Sequence, residues 1–404
     1  MRILAVNQFY APDISATSQL LTQLCEDLVR GGDEVSVIAS RGRYLGGAKL
    51  APRQTIRGVD VVRPLSSSLG KGSIAHRLAD YGSFWVGAIS QAARIRRPDV
   101  ILALSTPPMI AFGAALVAKA RGIPLVTWVQ DVYPEVAVAF GLFGNSHPAC
   151  LALRVLNRAT HHVARRSVVL SEGMADRVSL QGQQRQRLRV ITNWSDGQAI
   201  VPVSADANSF RAEHDLQNRF VVLYSGNLGV GHDMATNVDA ARQLESSHPR
   251  VLLLFIGEGG RRREAERRAE GLSNVRFLPY QPPERLALSL SAGDVHVASL
   301  REGLDGLLVP SKLYGILAAG RPLFYVGPDS CEVTRVLREH DLGWTGRPGQ
   351  SAALARAIAK AASEPQWVRQ RGERARQVFQ ERYDRPIAVD RWRIVLGEAV
   401  SDAG

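Results

Sequence analysis

Short apolar strands alternate with amphipathic helical segments along this whole chain, in two successive series. The first series reads "RILAVNQF", "EVSVIAS", "DVILALS", "PLVTWVQD", "SVVLSE" and "LRVITN"; the second reads "FVVLYSG", "VLLLFIG", "VRFLP", "VHVASL" and "PLFYVG". Strands separated by helices predict an α/β fold with parallel sheets that helices cover on both faces. Such sheets bind ligands beyond the carboxyl ends of their strands, so two facing sheets would place the site in the cleft between them.

The length of the chain and one polar segment predict where it divides. At 404 residues the chain exceeds what one hydrophobic core usually serves, so two domains are expected. The segment 194–219 is polar, rich in turn residues and without clear periodicity, which is typical of a linker. We therefore predict a Rossmann-like domain over residues 1–200, a second over residues 201–382 and a terminal helical segment over residues 383–404.

The charge, cysteine content and hydropathy of the chain indicate which kinds of partner it binds and in which cellular compartment it works. A formal net charge of +12 favours anionic partners, such as nucleotides, nucleic acids or an anionic membrane surface. Cys25, Cys150 and Cys331 lie far apart without a His/Cys cluster, which argues against disulfides and a zinc site and fits a reducing cytosol. The apolar segment 100–118 is interrupted by "STPP" and is predicted as a strand and a helix rather than a membrane span. The first residues read as a strand, not as a signal peptide.

Three small-residue turns follow strands of the second series, and one of them carries a cation. The turns at 225–229 and 257–260 open toward helices, whose first N–H groups favour phosphate, although glycines there are more often simple turn residues. The third turn, "PSKLYGILAAGRP", carries Lys312, in a chain where only five of the 50 basic residues are lysines. A cation at a helix N-terminus is unfavourable unless an anion lies nearby. We therefore predict that Lys312 neutralises a diphosphate whose charge grows as a bond to it breaks.

Four segments, in this order, resemble a retaining GT-B glycosyltransferase: "FYAPDISATSQLLTQLCEDLVRGGDEVSVIAS", "VVLSEGMADRV" with "LRVITNWSD", "VVLYSGNLGVGHD" and "GLLVPSKLYGILAAGRPLFYVG". More narrowly, they resemble the bacterial branch that adds amino sugars such as N-acetyl-fucosamine during O-antigen, capsule or colanic-acid assembly. The resemblance implies two Rossmann-like domains facing across a cleft, with the C-terminal helices returning to the N-terminal domain. It implies a nucleotide sugar, UDP-linked, on the C-terminal domain, and a polyprenyl-diphosphate-linked saccharide acceptor approached from the N-terminal domain. It also implies no cofactor and no obligatory metal.

The resemblance assigns roles to individual residues. Catalytic roles fall to Asp131, Lys312 and Glu302. The donor-binding positions are Ser225, Gly226, Asn227, Gly257, Tyr280, Asp305, Ser311 and Lys312. The acceptor-side positions are Ser15, Ala16, Thr17, Gln130 and Glu135.

Alternatives and departures stand beside these roles. Asp131 ends a strand and could equally cap the next helix, and the small residues 15–17 could equally reflect tight packing. Many relatives have an Arg and a Lys in the loop that here reads "GNLGVGHD", so Lys312 is predicted to replace that charge. Many also have a glutamate, which holds the ribose, at the position of Gly315, so the ribose contact is in doubt here.

A basic stripe adds a membrane hypothesis. In "LALRVLNRATHHVARRS" the basic residues Arg154, Arg158, His161 and Arg165 recur at helical spacing, and the opposite face carries Leu156, Ala159 and Val163. Such a stripe is also typical of a solvated helix surface. With the aromatics and arginines of segment 76–98 and a membrane-bound acceptor, it predicts a cytoplasmic enzyme on the inner leaflet of the cytoplasmic membrane.

Three other functions compete with glycosyl transfer. A sugar-nucleotide epimerase could use the same two-domain architecture, because fold does not decide function. A nucleic-acid binder would fit the charge, but no recognised motif interleaves the arginines with aromatic residues, so no nucleic acid is predicted as partner. An NAD-dependent oxidoreductase is disfavoured, since no G-x-G-x-x-G follows the first strand.

Overall fold

The structure, a computed structural model, describes residues 1–44, 46–67, 69 and 74–402. The chain divides into two compact units. Unit 1 comprises Met1–Thr192, Gly306–Leu308 and Pro386–Gly404, and unit 2 comprises Asn193–Asp305 and Val309–Arg385. The boundary thus lies at Thr192, whereas the sequence placed it after residue 200. Residues 403 and 404 of the predicted terminal segment lie outside the described residues.

Unit 1 contains an eight-stranded sheet with the order β3-β4-β2-β1-β5-β6-β7-β8. Its strands are β1 (Arg2–Val6), β2 (Glu34–Ile38), β3 (Arg53–Ile56), β4 (Val59–Val62), β5 (Val100–Leu104), β6 (Leu125–Trp128), β7 (Arg166–Val169) and β8 (Leu188–Val190). The described strand pairs are parallel except β3 with β4, which is antiparallel. Strand β5 is buried along its whole length, as expected where helices cover both faces of a sheet.

The helices of unit 1 connect these strands in sequence. They are α1 (Ala16–Arg30), α2 (Ile74–Arg94), α3 (Ile110–Arg121), α4 (Glu135–Ala139), α5 (Pro148–Val163) and α6 (Glu172–Leu180). Helix α3 contacts both α2 and α5, so these three helices form a layer. Phe84, Ala88, Ala114 and Val117 pack from this layer onto Ile101 and its neighbours in the sheet. The layer therefore has one face in the core and one face toward solvent.

Unit 2 contains a six-stranded sheet with the order β11-β10-β9-β12-β13-β14, and its described pairs are all parallel. Its strands are β9 (Phe220–Ser225), β10 (Val251–Ile256), β11 (Val275–Leu278), β12 (Val295–Ser299), β13 (Leu323–Val326) and β14 (Gly343–Gly346). Its helices are α7 (Ser209–Glu213), α8 (Ala235–Leu244), α9 (Arg262–Arg268), α10 (Leu286–Ser291), α11 (Lys312–Ala318), α12 (Glu332–His340), α13 (Ser351–Ser363) and α14 (Pro365–Arg382). The prediction of two Rossmann-like α/β domains is confirmed.

The segment predicted as a linker is largely part of unit 2. Asn208 caps α7 by accepting a hydrogen bond from the Phe210 N–H at 3.0 Å. Phe210 and Leu216 are then fully buried against Val221 and Leu223 of β9. Phe210 and Leu216 are buried here, and polar residues surround them, so the segment shows no apolar periodicity. For this reason the sequence predicted a linker where the structure has packed residues.

The last helix, α15 (Arg385–Ser401), belongs almost entirely to unit 1. The ring of Trp392 packs on that of Trp128 in β6, with 4.7 Å between their centroids. The carboxylate of Glu398 accepts hydrogen bonds from Arg166 at 2.9 Å and Arg189 at 2.8 Å. Apolar packing and ion pairs therefore both hold this helix in unit 1.

The segment 100–118 forms a strand and a helix, as the sequence predicted: β5 ends at Leu104 and α3 begins at Ile110. Within the described residues, no helix is both long enough and apolar enough to cross a bilayer. Cys25, Cys150 and Cys331 are each buried and unpaired.

Candidate functional site

The carboxyl ends of β9 and β10 carry two loops that pack backbone against backbone. The Gly226 N–H donates to Ile256 O at 2.8 Å, and the Leu228 N–H donates to Glu258 O at 2.9 Å. A Cβ on Gly257, whose φ is +143°, would lie 2.1 Å from Gly226 O, and only glycine fits such an approach. Gly226 and Gly257, both predicted at the site, are therefore in direct contact.

Lys312 extends over the first of these loops. Its Nζ donates a hydrogen bond to Asn227 O at 3.2 Å and lies 3.1 Å from His232 Nε2. It also lies 4.8 Å from the centre of the Tyr224 ring, a favourable cation–π position. The predicted residues Gly226, Asn227 and Lys312 are thus together, and His232, which the sequence did not assign to the site, joins them.

The hydrogen bonds of His232 define its protonation state. Its Nδ1 lies 2.5 Å from Ser299 O, and a carbonyl oxygen can only accept, so Nδ1 carries the proton. Nε2 is then a neutral acceptor for the ammonium of Lys312. Burial, together with the charge of Lys312, lowers the pKa of His232 to about 3, so the ring is neutral near pH 7.

The ammonium of Lys312 is only partly satisfied by this unit. It has three N–H groups, and two of them point to Asn227 O and His232 Nε2. The side chain is partly buried, and this burial lowers the pKa of Lys312 to about 7. One N–H remains for a ligand, and an anion there would restore the charged form.

The other predicted donor residues are more dispersed. The hydroxyl of Tyr280 donates to Glu258 O at 3.4 Å, which places it beside the second loop. Asp305 accepts a hydrogen bond from the Ser330 hydroxyl at 2.9 Å, away from the Lys312 contacts. The hydroxyl of Ser311 makes no capping bond to α11, and Glu302 is exposed. Ser225 ends β9 and is partly buried.

Two arginines that the sequence reasoning missed contact the loop "GNLGVGHD". Arg301 donates its backbone N–H to Gly231 O at 2.9 Å and its guanidinium to Val230 O at 3.3 Å. Arg261 donates to His232 O at 2.9 Å. The loop therefore has cations beside it although it contains none. Arg301 follows the carboxyl end of β12, and that position in a parallel sheet is the signal that could have found it.

In unit 1, Asp131 lies just beyond the carboxyl end of β6. The Asp131 N–H donates to Ser105 Oγ at 3.4 Å, and Asp131 forms an isolated β-bridge with Leu308 of the same unit. Among the described residues, none donates a hydrogen bond to its carboxylate oxygens in the structure. Burial raises the pKa of Asp131 to about 6. The capping alternative is wrong, because Pro134 holds the N-cap position of α4 and no side chain caps that helix.

The acceptor-side residues have mainly structural contacts. The Gln130 N–H donates to the same Ser105 Oγ at 3.1 Å. Glu135 accepts from Arg154 Nε at 3.2 Å and from the amide of Gln181. Ser15 caps α1 by accepting from the Ser18 N–H at 3.4 Å, and Ala16 and Thr17 are the first residues of that helix. The capping bond accounts for Ser15, and the acceptor-side roles of Ala16 and Thr17 stay predictions.

The predicted basic stripe on α5 is wrong in two of its four members. His161 is only 5% exposed, and its Nε2 lies 3.3 Å from Gln181 Oε1. Helix α5 ends at Val163, so Arg165 lies beyond the helix. Arg158 is exposed, whereas Arg154 is partly buried in its ion pair with Glu135. The four residues thus do not share one solvent-exposed helix face, because α5 packs through part of the face that the spacing marked as polar.

The unit 2 group suits an anion. A partly free ammonium, closely packed glycine loops and the nearby guanidinium of Arg301 offer charge and backbone approach at one sheet edge, while Arg261 is paired with Glu264. Among residues 1–44, 46–67, 69 and 74–402, no group of three or more His, Cys, Asp or Glu is arranged to hold a metal ion.

Comparison with known families matches both halves of the chain. Residues 16–194 match the family described as glycosyl transferase 4-like domain, and residues 206–378 match the family described as glycosyl transferases group 1. The two matches correspond to the bulk of unit 1 and of unit 2.

Relatives and solved structures agree with these matches. The chain is 29% identical over 335 residues to WcaI of Escherichia coli strain K12, which is named as a colanic acid biosynthesis glycosyl transferase, covering 79% of this chain and 82% of WcaI. It is 26% identical over 332 residues to WbjE of Pseudomonas aeruginosa, named as a glycosyltransferase, covering 82% of each chain. The crystal structure of Anabaena HepE in complex with UDP and glucose superposes with a TM-score of 0.73 at 16% identity, covering 98% of this chain and all of HepE. The last comparison supports the fold.

Proposed function

Because the chain belongs to the group 1 glycosyltransferases with a GT-B fold, we propose that it moves a sugar from a UDP-linked donor to a polyprenyl-diphosphate-linked saccharide. The proposed donor sugar is an N-acetylated amino or deoxyamino sugar, and the product belongs to a bacterial surface polysaccharide. Relatives named for colanic acid biosynthesis and for glycosyl transfer support the pathway class, and a superposable structure that holds UDP supports the base.

The position of Lys312 is the observation that carries the donor assignment. Its ammonium has one N–H left after its bonds to Asn227 and His232, and it lies at the carboxyl edge of the unit 2 sheet. A diphosphate oxygen is the acceptor that would use this N–H, since the anion also restores the charge that burial disfavours. Arg301 adds positive charge beside the same loop, whereas the charge of Arg261 is paired with Glu264.

The proposed reaction breaks the bond between the anomeric carbon and the diphosphate. The acceptor hydroxyl oxygen bonds to that carbon on the face that the diphosphate leaves, so configuration is retained. The acceptor proton passes to the departing diphosphate oxygen, whose growing negative charge Lys312 stabilises. No metal is needed in this proposal, because protein cations neutralise the leaving group.

Asp131 is proposed to accept a hydrogen bond from a hydroxyl of the sugar or the acceptor. With a pKa near 6 it is ionised at neutral pH, and no described residue donates to its carboxylate oxygens in the structure. The carboxylate of Asp131 is partly buried and has no protein donor, so a hydrogen bond from a substrate hydroxyl would lower its free energy. The roles predicted for Glu302, Asp305 and Ser311 remain predictions.

Transfer and epimerisation differ in what they need. The relatives are named as glycosyl transferases, so the epimerase alternative is not favoured. We would first measure thermal stabilisation by UDP-, GDP-, dTDP- and CMP-linked sugars, since a bound donor stabilises the folded state. The stabilising donor would then be incubated with and without a polyprenyl-diphosphate saccharide. Transfer of the sugar only with acceptor, with its anomeric configuration kept in the NMR spectrum and with activity in EDTA, is the expected result; a changed sugar with donor alone would favour the epimerase.

The proposed acceptor is a membrane lipid, so the protein should bind the membrane surface. We propose that it does so through the solvent-exposed face of the layer formed by α2, α3 and α5. Leu78 and Val86 of α2 are 64% and 63% exposed, and Val155 of α5 is 66% exposed. Arg158 and Arg165 are exposed nearby in sequence. Apolar side chains with flanking arginines are typical of surfaces that bind an anionic leaflet, where each basic residue contributes about 1 kcal/mol.

Liposome co-sedimentation tests this surface. We expect binding that requires anionic lipid and weakens at high salt. Changing Leu78, Val86 and Val155 to Asp should release the protein, and so should Arg158→Glu with Arg165→Glu. Leu180→Asp is the matched control, because Leu180 is 79% exposed at the end of α6, outside this helix layer. Wild-type protein that stays in the supernatant at low salt would refute the membrane proposal while leaving the donor proposal intact.

A further inference from the structure

A cleft of about 1120 Å³ opens in unit 2 at the edge of the sheet opposite Lys312. It is lined by Phe220 and Val251, the first residues of β9 and β10, and by Asp294 and Pro322, which precede β12 and β13. Parallel strands run in one direction, so this is the amino edge of the sheet. Neither Lys312 nor the glycine loops line the cleft, and the proposed donor site does not account for it.

The walls of the cleft are strongly basic. Two acidic residues line it, Asp294 and Glu373, against six arginines: Arg211, Arg219, Arg250, Arg321, Arg369 and Arg376. Asp294 is bonded to Arg211 at 3.2 Å, which leaves most of the arginine charge without a carboxylate. A concave surface with an excess of one charge focuses its field on ligands of the opposite sign.

Arg321 and Arg376 are partly buried and donate to backbone carbonyl oxygens, whereas the fully buried Arg211 is also paired with Asp294. Arg321 donates to the carbonyl oxygens of Val203, Ser291 and Gly293, each at 2.8 Å. Its pKa is lowered, by burial first and also by the charge of Arg211. Arg376 likewise donates to carbonyl oxygens, including Ala318 O at 2.6 Å. These guanidiniums stay fixed and charged, so an anion in the cleft would reduce their mutual repulsion.

The more accessible arginines could contact a ligand directly. Arg219 and Arg250 immediately precede the neighbouring strands β9 and β10. Among the described residues, each guanidinium donates to one carbonyl oxygen, Pro249 O at 2.7 Å for Arg219 and Asn218 O at 3.2 Å for Arg250. Arg369 is exposed and has no hydrogen bond or ion pair with any described residue. These three guanidiniums offer forked N–H donors, the geometry that binds phosphate oxygens.

The most buried arginine of the cleft wall has one N–H without a partner. Arg211 is 3% exposed, and its Nε is buried without a hydrogen-bond partner among the described residues. Helix α14 begins at Pro365 on the cleft wall with Glu364 at its N-cap position, so the start of this helix adds no preference for an anion.

We propose that the amino edge of unit 2 binds a second phosphorylated small molecule, distinct from the nucleotide-sugar donor. The ligand carries at least two phosphate charges, because the arginine excess and the cleft volume both exceed what one phosphate would use. The site lies across the sheet from Lys312, so its occupant would act as an effector or as a reservoir, not as the reacting donor.

Pyrophosphate titration of the full chain, followed by calorimetry at constant ionic strength, tests the site. We expect two binding events in the wild type. Lys312→Met should remove one, and the triple change Arg219→Glu, Arg250→Glu and Arg369→Glu should weaken the other roughly tenfold or more while leaving the first unchanged. All three arginines are at least partly exposed, so these variants are expected to fold.

A charge-matched triple variant separates a site from bulk charge. Arg263, Arg267 and Arg356 lie in unit 2 but do not line the cleft. Changing them to Glu alters the net charge equally, and pyrophosphate affinity should then stay within about twofold of wild type. Equal weakening in both triple variants would overturn the proposal, and so would a single wild-type binding event that Lys312→Met abolishes. Neither outcome bears on the donor proposal, which nucleotide-sugar binding tests separately.

Discussion

Lys312 in unit 2 and Asp131 in unit 1 are both charged residues beyond the carboxyl ends of parallel strands, but the two units treat them differently. Lys312 donates to Asn227 O and His232 Nε2, so neutral groups already hold its ammonium in place. For Asp131, the structure provides backbone contacts to Ser105 and Leu308, and no described residue donates to its carboxylate. Before a ligand arrives, two of the three N–H groups of Lys312 have protein acceptors, whereas the carboxylate of Asp131 has no protein donor among the described residues.

The difference suggests different tasks. An ammonium held by neutral acceptors keeps its position, so it can bind a fixed anion in the ground state. A partly buried carboxylate without a protein donor is stabilised when a substrate hydroxyl donates a hydrogen bond to it. Burial lowers the pKa of Lys312 to about 7 and raises the pKa of Asp131 to about 6, because it disfavours the charged form of each group. We therefore expect Lys312 to affect donor affinity and Asp131 to affect turnover.

The largest expected effect is that of Asp131→Asn on turnover. The amide keeps the shape of the side chain but cannot supply a full negative charge to a substrate hydroxyl, so kcat should fall by about 10²-fold or more. Donor affinity should change little. Steady-state kinetics with donor and acceptor varied separately measure both quantities, and full activity would show that the carboxylate is structural.

The same variant should be more stable than the wild type at alkaline pH. Since the folded-state pKa of Asp131 is raised to about 6, stability is lost as pH rises from about 4 to about 6, and the loss stays constant at higher pH. Asn carries no such cost, so unfolding at pH 8 should require about 1 to 2 kcal/mol more free energy, with no gain near pH 4. Urea unfolding at the two pH values measures this, and a loss of stability at pH 8 would contradict the buried-charge interpretation.

The second effect is that of Lys312→Met on donor affinity. Met keeps most of the apolar stem that packs on Gly226, while the charge and its hydrogen bonds are lost. Charge-assisted hydrogen bonds contribute about 1.5 to 3 kcal/mol, so UDP-sugar affinity should fall roughly 10- to 100-fold. Lys360→Met is the matched control, because Lys360 is exposed on α13 in the same unit. Calorimetry that finds equal affinities in wild type and Lys312→Met would sink the donor assignment.

The sequence predicts a strand well where the apolar run is long, and poorly where the strand is short and mixed in polarity. All eleven strands expected from apolar runs are present, and β3, β4 and β14 were missed because RQTI, VDVV and GWTG are short and mixed in polarity. Lys312 was found because it is a rare residue type after a strand. His232 was not, because its neutral tautomer depends on Ser299, which is 67 residues away in sequence.

The helix α5 shows the opposite limit. Periodicity placed Arg154, Arg158 and His161 on one polar face, but α5 packs against α3 and against Gln181, so His161 is buried. Spacing identifies which residues share a face, yet a helix in a layered domain can bury two faces. Only the neighbouring elements decide which face is left to solvent.

The third effect is a pH dependence of donor affinity, which we expect to arise from Lys312 in unit 2 and not from Asp131 in unit 1. The lowered pKa of Lys312, about 7, means that the free protein loses this charge as pH rises above 7. A bound diphosphate raises that pKa, so binding takes up a proton and affinity should fall by up to about tenfold per pH unit above 7. A UDP-sugar is the suitable ligand, because its diphosphate does not titrate in this range. Lys312→Met should bind weakly with a flat profile, and a flat wild-type profile would contradict the shift.

The smallest expected effect comes from His232, and it tests whether neutral acceptors hold Lys312 in place. His232→Leu removes the Nε2 acceptor and leaves the ammonium bonded to Asn227 O alone. The charged form of Lys312 is then less stabilised, so the midpoint of the pH profile should move below 7 and affinity at pH 7.5 should fall by roughly three- to fivefold, about 1 kcal/mol. His232→Gln should behave like the wild type, since its Oε1 can accept from the ammonium. Because both variants lose the imidazole, a difference between them isolates the acceptor from the packing of the ring. If both variants lose the same affinity and keep the wild-type midpoint, His232 contributes packing and no hydrogen bond to Lys312. The position of the Lys312 ammonium would then depend on the bound ligand, as we infer for the carboxylate of Asp131.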